Sequence, residues 1–134
     1  MLRAQKGFSL IELIITLAIV GILAVLLMPA YRNYISRGNR SDAVQSILSA
    51  QIAEEKYRLN HATYGTLAQI GASATSPNGN YTIVITNNAA ATYTITATTT
   101  GSQTTDTSCT TFTLAYSNGT TTKTSSPTAT CWTQ

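Results

Sequence analysis

The carboxylate of Glu12 is the most unusual chemical group in the sequence, because it lies inside an otherwise apolar run of 21 residues, 8–28. An ionisable side chain within a membrane-spanning helix costs about 2.5–3.5 kcal/mol on insertion scales, so Glu12 is a candidate functional residue by default. One cation that could pair with it is the α-amino group of Phe8, which would exist if the chain were cut after Gly7. The alternative is a hydrated or neutral carboxylate at the headgroup boundary, without a role.

Cys109 and Cys131 are the second group of residues with their own chemistry. Arg3 and Lys6 precede the apolar run, which favours a cytoplasmic N-terminus and an exported remainder. Disulfides persist in that compartment, and a bond closing a loop of this length would contribute about 3 kcal/mol in the entropic account. Two free buried thiols are the alternative. The spacing is not that of a metal site, so neither a metal nor a cofactor is expected.

Charged residues are scarce, at 10% of the chain, and the 76 residues from Leu59 to Gln134 contain only Asp106 and Lys123. A general acid or base requires a titratable group, and a strongly basic nucleic-acid-binding domain clusters Lys and Arg. The many Ser and Thr hydroxyls have no paired base that could activate a nucleophile. The composition therefore predicts that the protein is not an enzyme. His61 is the only histidine, and a capping or solvated role is expected for it.

Residues 8–28 must position Glu12, and as a helix they would cross about 30 Å, one hydrocarbon thickness. A cleaved secretory signal peptide is one alternative, but the residues after the run form a poor cleavage site. A plain single-span anchor is another, and it explains the length but not Glu12. Gly21 and Pro29 interrupt the pattern, and they cost about 1 and 3 kcal/mol relative to Ala inside a helix.

The rest of the chain predicts an amphipathic helix followed by a sheet. The helix should end near Asn60–His61, and its expected apolar stripe consists of Tyr31, Tyr34, Ile35, Val44, Ile47, Leu48, Ile52 and Leu59. Arg40, Asp42 and Glu54 are expected on the remaining polar surface. Alternating residues predict strands at 81–86, 93–98, 110–117 and 120–124, with Thr keeping the outer face polar. A glycosylated mucin-like stalk is the competing interpretation of the Thr-rich half.

The residues from Lys6 to Leu13, KGFSLIEL, resemble the signature of the type IV pilin family. The resemblance implies cleavage between Gly7 and Phe8 by a prepilin peptidase, and N-methylation of Phe8. It divides the chain into a leader (1–7), a transmembrane and assembly helix (8–30) and an exported head domain (31–134). It also implies that helicity can be lost between Gly21 and Pro29 in the filament, where Glu12 pairs with Phe8 of a neighbouring subunit.

The expected fold is the α+β type IV pilin fold, in which a long N-terminal helix packs on an antiparallel sheet of about four strands. The residues around Cys109, and Cys131 with Trp132, resemble PilE-type minor pilins, which implies a disulfide bounding a surface loop. The function implied is that of a structural minor pilin in the inner membrane and then in an extracellular pilus, supporting twitching motility, adhesion and DNA uptake. The implied partners are other pilin subunits, the prepilin peptidase and the inner-membrane assembly platform.

Three alternatives remain for the function. The first is a major pilin of the same filament. The second is a type II secretion pseudopilin, whose relatives usually bind calcium, although Asp106 alone is a poor supply of the oxygen ligands that calcium needs. The third is a DNA receptor, for which Lys56, Arg58 and Lys123 are the only basic candidates in the head outside the base of the helix. So few cations disfavour direct nucleic-acid binding.

Overall fold

The computed structural model describes residues 7–133, which form parts of two compact units, Met1–Tyr34 and Ile35–Gln134. The leader residues Arg3 and Lys6 lie outside the described residues. Helix α1 (Leu10–Arg58) is followed by four strands, β1 (Tyr81–Thr86), β2 (Thr92–Thr99), β3 (Cys109–Ser117) and β4 (Thr120–Pro127). Two short 3₁₀ segments, Gly101–Thr105 and Cys131–Thr133, precede β3 and follow β4.

Helix α1 passes through Gly21 and Pro29 without a break. Proline removes one backbone donor from a helix, and its neighbours Leu27, Met28 and Ala30 have high helix propensity. The expected interruption at these two residues is therefore absent from the single chain. A loss of helicity between them on assembly stays a prediction.

The four strands form one antiparallel sheet in the order β1-β2-β3-β4. The bounds of β1 agree with the prediction, whereas β2 and β3 are slightly longer and β4 continues to Pro127. Asn118 and Gly119 have positive φ values and form the β3–β4 turn, as the Asn–Gly pair predicts. The α+β type IV pilin fold, with one long helix on a four-stranded antiparallel sheet, is confirmed.

The two faces of the sheet differ sharply in composition. Tyr81, Tyr93, Ile95, Phe112 and Leu114 point into the core and are fully buried. On the opposite face the strand register places Thr96 beside Thr113, and Thr113 beside Thr124. Threonine on this face pairs a β-branched shape with a polar surface, which is the expected reason for its abundance.

The face of α1 that packs on the sheet is not the predicted apolar stripe. The buried helix residues are Arg40, Asp42, Ala43, Ile47, Ala50 and Glu54. Of the predicted stripe only Ile47 is fully buried, whereas Ile52 is 57% exposed. The large rings of the sheet fill the core, so the helix contributes alanines there. The expectation that Arg40, Asp42 and Glu54 lie on the polar surface was wrong.

A disulfide joins Cys109, at the start of β3, to Cys131, in the last 3₁₀ segment, with 6.0 Å between their Cα atoms. Both cysteines are buried. Next to the bond, the Trp132 ring packs edge-on against Phe112, with 5.7 Å between the ring centroids. The alternative of two free thiols is excluded. The bond holds the C-terminal segment against the end of the sheet.

Candidate functional site

The apolar part of α1 is a candidate assembly surface. It is the one helix among residues 7–133 whose length and composition would allow it to cross a membrane. Every residue from 10 to 34 is exposed, and no other element of the first unit covers them. Gly21 leaves a shallow apolar groove of about 400 Å³ lined by Ala18, Ile22, Val25 and Leu26. In water so much apolar surface is strongly unfavourable, so a lipid or protein partner must cover it.

Glu12 accepts a hydrogen bond within its own helix. Its Oε2 atom lies 3.0 Å from the backbone N of Ser9, the residue before the helix begins. A Ser followed three residues later by Glu is the capping-box pattern, in which the Glu side chain satisfies the free N–H of the capping residue. The carboxylate therefore has a structural role in the single chain. The sequence SLIE contains this signal, which the sequence analysis did not use.

Gly7 and Phe8 precede the helix and adopt no regular structure. The Phe8 side chain is 85% exposed. A Cβ atom added at Gly7 would meet nothing within 4 Å, so folding of the chain does not require glycine there. A requirement for glycine would have to come from an enzyme that recognises this bond.

A buried ion pair joins the helix to the segment before β3. Arg40 donates from Nε to Asp106 Oδ2 at 2.7 Å, and from its second terminal nitrogen to Oδ1 at 2.9 Å. Both side chains are almost fully buried. The hydrogen bonds that Arg40 donates to Asp106 raise the pKa of Arg40. Burial alone would raise the pKa of Asp106, but the bonds and attraction from Arg40 outweigh it and hold that pKa below its ordinary value.

Gln103 extends this ion pair into a buried polar network. Its Nε2 group donates to the Ser36 carbonyl at 2.9 Å and lies 3.2 Å from both Tyr81 Oη and Asp106 Oδ2. Its Oε1 atom accepts from Asn39 Nδ2 at 3.0 Å. Burial raises the pKa of Tyr81 to about 12, so its hydroxyl stays neutral under physiological conditions.

Two further carboxylates on the buried face of α1 hold loops. Asp42 accepts from Ser76 Oγ at 2.6 Å and fixes the turn before β1. Glu54 accepts from the Gly65 backbone N at 2.8 Å, and its other oxygen, Oε1, has no hydrogen-bond partner within residues 7–133. Burial raises the pKa of Glu54. A Cβ atom at Gly65 would lie 2.8 Å from Ile70, so this loop requires glycine for its close approach.

The basic residues named as DNA-binding candidates are not equally available. Arg58 donates to the carbonyls of Ala90 and His61, at 3.2 and 2.6 Å. Lys123 lies over the Trp132 ring, 5.2 Å from its centroid, and Lys56 is exposed. His61 stacks on Tyr57, and its Nδ1 atom lies 2.8 Å from the Tyr57 carbonyl oxygen, as expected for a residue that caps the helix end.

Two family models match adjacent parts of the chain. Residues 2–28 match the prokaryotic N-terminal methylation motif. Residues 29–113, more than half of the chain, match a model described as type IV minor pilin ComP, DNA uptake sequence receptor. The chain belongs to the ComP family of type IV minor pilins. The resemblance to type IV pilins is thereby confirmed from the helix through to the sheet.

Curated relatives of this pilin agree with the family. It is 44% identical over 80 residues to the type IV major pilin protein PilE of Neisseria gonorrhoeae, an alignment covering 58% of this chain and 47% of that protein. It is 36% identical over 79 residues to the fimbrial protein EcpC of Eikenella corrodens, covering 59% and 52% of the two chains. The aligned segment spans about half the length of these relatives.

Replacing Asp106 with Asn should destabilise this pilin by about 3–5 kcal/mol, because the Arg40 charge then stays buried without its counter-charge. The pKa of Asp106 is lowered in the folded state, so its stabilising effect is present above the unfolded value of about 3.9 and is lost as the pH falls through the folded pKa. Denaturant unfolding of the full chain in detergent, followed by near-UV circular dichroism, should show a difference between wild type and variant that shrinks below about pH 4.

The double variant Arg40→Met with Asp106→Leu is the matched control, because it removes both charges and leaves neither unpaired. It should lose less stability than the sum of the single variants Arg40→Met and Asp106→Leu, each of which leaves one charge buried alone. Additive losses at every pH would contradict a direct coupling between the two side chains.

Proposed function

We propose that this protein is a structural subunit, a minor pilin, of a type IV pilus. Before assembly it resides in the inner membrane as a single-span protein with a cytoplasmic N-terminus, and it then enters a helical filament. The observation that carries the proposal is the exposed apolar surface of α1 over residues 10–28, which the chain leaves uncovered. Lipid covers this surface before assembly, and the helices of neighbouring pilins cover it afterwards.

Exposed apolar residues in the head-domain part of α1 support the same function. Ile35 is 41% exposed, and Leu48 and Ile52 also reach the surface. These residues lie beyond the span, where lipid does not cover them. In a filament they would contact neighbouring subunits, which explains why the sequence carries apolar residues on a helix face that does not pack on its own sheet.

The minor-pilin role is favoured over the two structural alternatives. The family model that matches residues 29–113 is described as a minor pilin, and this supports the minor-pilin role over that of a major pilin. A calcium-binding pseudopilin would need Asp106 as a ligand, and Arg40 engages both oxygens of that carboxylate. Twitching motility, adhesion and DNA uptake are the processes that such a subunit would support.

The match to the methylation motif supports processing between Gly7 and Phe8 by a prepilin peptidase, a partner that the subunit meets before the assembly platform. Mass spectrometry of the membrane-extracted protein should give an N-terminus at methylated Phe8. Gly7→Val should block cleavage and leave the fold intact, because a Cβ atom added at Gly7 would meet nothing within 4 Å among the described residues beyond its chain neighbours. An N-terminus at Met1 or beyond Ala30 in wild type would overturn the pilin function.

Glu12 is proposed as an assembly residue, in addition to its capping role. In the filament it would meet the α-amino group of Phe8 on a neighbouring subunit, and a wrongly docked subunit would leave a charge unpaired at a cost of several kcal/mol. Glu12→Leu should retain membrane insertion and cleavage but lower the ratio of subunit in sheared pili to subunit in membranes.

Ser9→Pro is the matched control for Glu12→Leu, because it removes the backbone N–H that donates to Glu12 and keeps the carboxylate. It should lower incorporation much less than Glu12→Leu does. Equal incorporation of Glu12→Leu and wild type would show that Glu12 serves the helix end alone.

A receptor for DNA is the second candidate function, and the match to the ComP family favours it. The scarcity of cations in the sequence points the other way. Of the three basic candidates, Lys56 and Lys123 make no side-chain hydrogen bond within residues 7–133, whereas Arg58 donates to two backbone carbonyls.

A gel shift with the full chain in detergent tests this function directly. A receptor should retard duplex DNA, and Lys123→Gln should lower the slope of log affinity against log salt by about 0.9, the value for one phosphate contact. Leu59→Gln, an exposed and uncharged control, should leave the slope unchanged. A pilin that assembles normally and retards no DNA at low salt would retain only the structural role.

A further inference from the structure

A short polar segment follows the apolar part of α1 and consists of Tyr31, Arg32, Asn33 and Tyr34. We name it the collar. All four residues are exposed, with Tyr31 at 66% and Tyr34 at 75%. Within residues 7–133, no hydrogen bond or ion pair involves the Arg32 guanidinium. The collar belongs entirely to the first compact unit, so its side chains have no internal packing role.

The spacing of charges places the collar at a membrane boundary. Residues 13–31 contain no charge, and Glu12 and Arg32 bracket them at a separation of 20 residues. At 1.5 Å per helical residue this is about 30 Å, the thickness of the hydrocarbon layer. When Glu12 lies at the inner boundary, Arg32 lies at the outer one. This position rests on the membrane-anchored state of the proposed function.

No carboxylate in the described part of the chain, residues 7–133, pairs with the charge of Arg32. The sequence has no Asp or Glu between Glu12 and Asp42, and Asp42 is buried against Ser76. An arginine on the external side also works against the preference for positive residues on the cytoplasmic side. An external anion would offset the cost of the unpaired charge and the cost of its position on the external side. Phospholipid phosphates are the anions available at that depth, and the guanidinium fork binds phosphate through two parallel hydrogen bonds.

We propose that the collar binds anionic phospholipids of the outer leaflet before assembly. Arg32 binds the lipid phosphate, and Tyr31 and Tyr34 place their rings at the boundary with their hydroxyls toward the headgroups, as interfacial tyrosines do. Headgroups surround a single helix on all sides, so these side chains need not share one helix face. A subunit entering the filament exchanges these lipid contacts for contacts with other subunits.

Electron spin resonance of the full chain in phosphatidylcholine vesicles tests the proposal. The measurement is the fraction of labelled lipid that the protein immobilises. It is made once with trace spin-labelled phosphatidylglycerol and once with trace spin-labelled phosphatidylcholine. Wild type should prefer the anionic lipid about fivefold, as expected for one cation near the surface, and salt should lower the preference. Arg32→Gln should lower the preference clearly below that of wild type, with any remainder due to the exposed Arg37 on the same helix, and Arg32→Lys should retain more of it than Arg32→Gln.

Lys123→Gln is the matched control, since it also removes one positive charge but changes the head domain. It should leave the lipid preference unchanged. Equal immobilisation of both lipids by wild type, or an equal loss in Arg32→Gln and Lys123→Gln, would overturn the collar proposal. Flotation after alkaline extraction distinguishes failure of the collar proposal from failure of the membrane-anchored function. Inserted protein without lipid preference overturns the collar alone, whereas protein that does not insert also overturns the membrane-anchored function.

Discussion

The buried ion pair between Arg40 and Asp106 fixes the arrangement of the head domain. Its two residues are 66 positions apart in sequence, and the pair sets where the segment before β3 meets the helix. Replacing such a pair with well-packed apolar residues is often neutral, so its net contribution to stability is modest. We infer that the pair favours one docking of helix and sheet over others, because a docking that buried only one of the two charges would be strongly unfavourable. Asp42 and Glu54 act similarly, each holding a different loop.

Much of the architecture could be predicted from local patterns. The apolar run, the strand alternation and the Asn118–Gly119 turn each depend on neighbouring residues, and each agrees with the structure. The disulfide followed from the compartment and from the presence of just two cysteines. The capping role of Glu12 was also available in the sequence, as the SLIE pattern. It was missed because a carboxylate in an apolar run draws attention to membrane chemistry first.

The buried face of the helix could not be predicted, and the reason is physical. Hydrophobic periodicity assumes that the largest apolar residues pack inward, which favours Leu48 and Ile52. In this chain the sheet supplies the bulk through Tyr81, Tyr93 and Phe112, so the facing helix positions are small. Asp106 and Ser76, the partners of Arg40 and Asp42, are distant in sequence. The partner of Glu54 is the backbone N–H of Gly65. A single sequence therefore carries no local sign that these charges are buried.

The Thr-rich sheet also explains why the C-terminal residues fold back on β4. An exposed edge strand with one charge, Lys123, is a template for pairing with another chain. Here the Trp132 indole donates to the Thr124 carbonyl at 2.6 Å, and Pro127 ends the strand with a residue that has no backbone donor. The disulfide at Cys131 holds the tryptophan in place. The C-terminal segment thus donates a hydrogen bond to one backbone carbonyl of the edge strand, that of Thr124, while the polar outer face remains open to solvent.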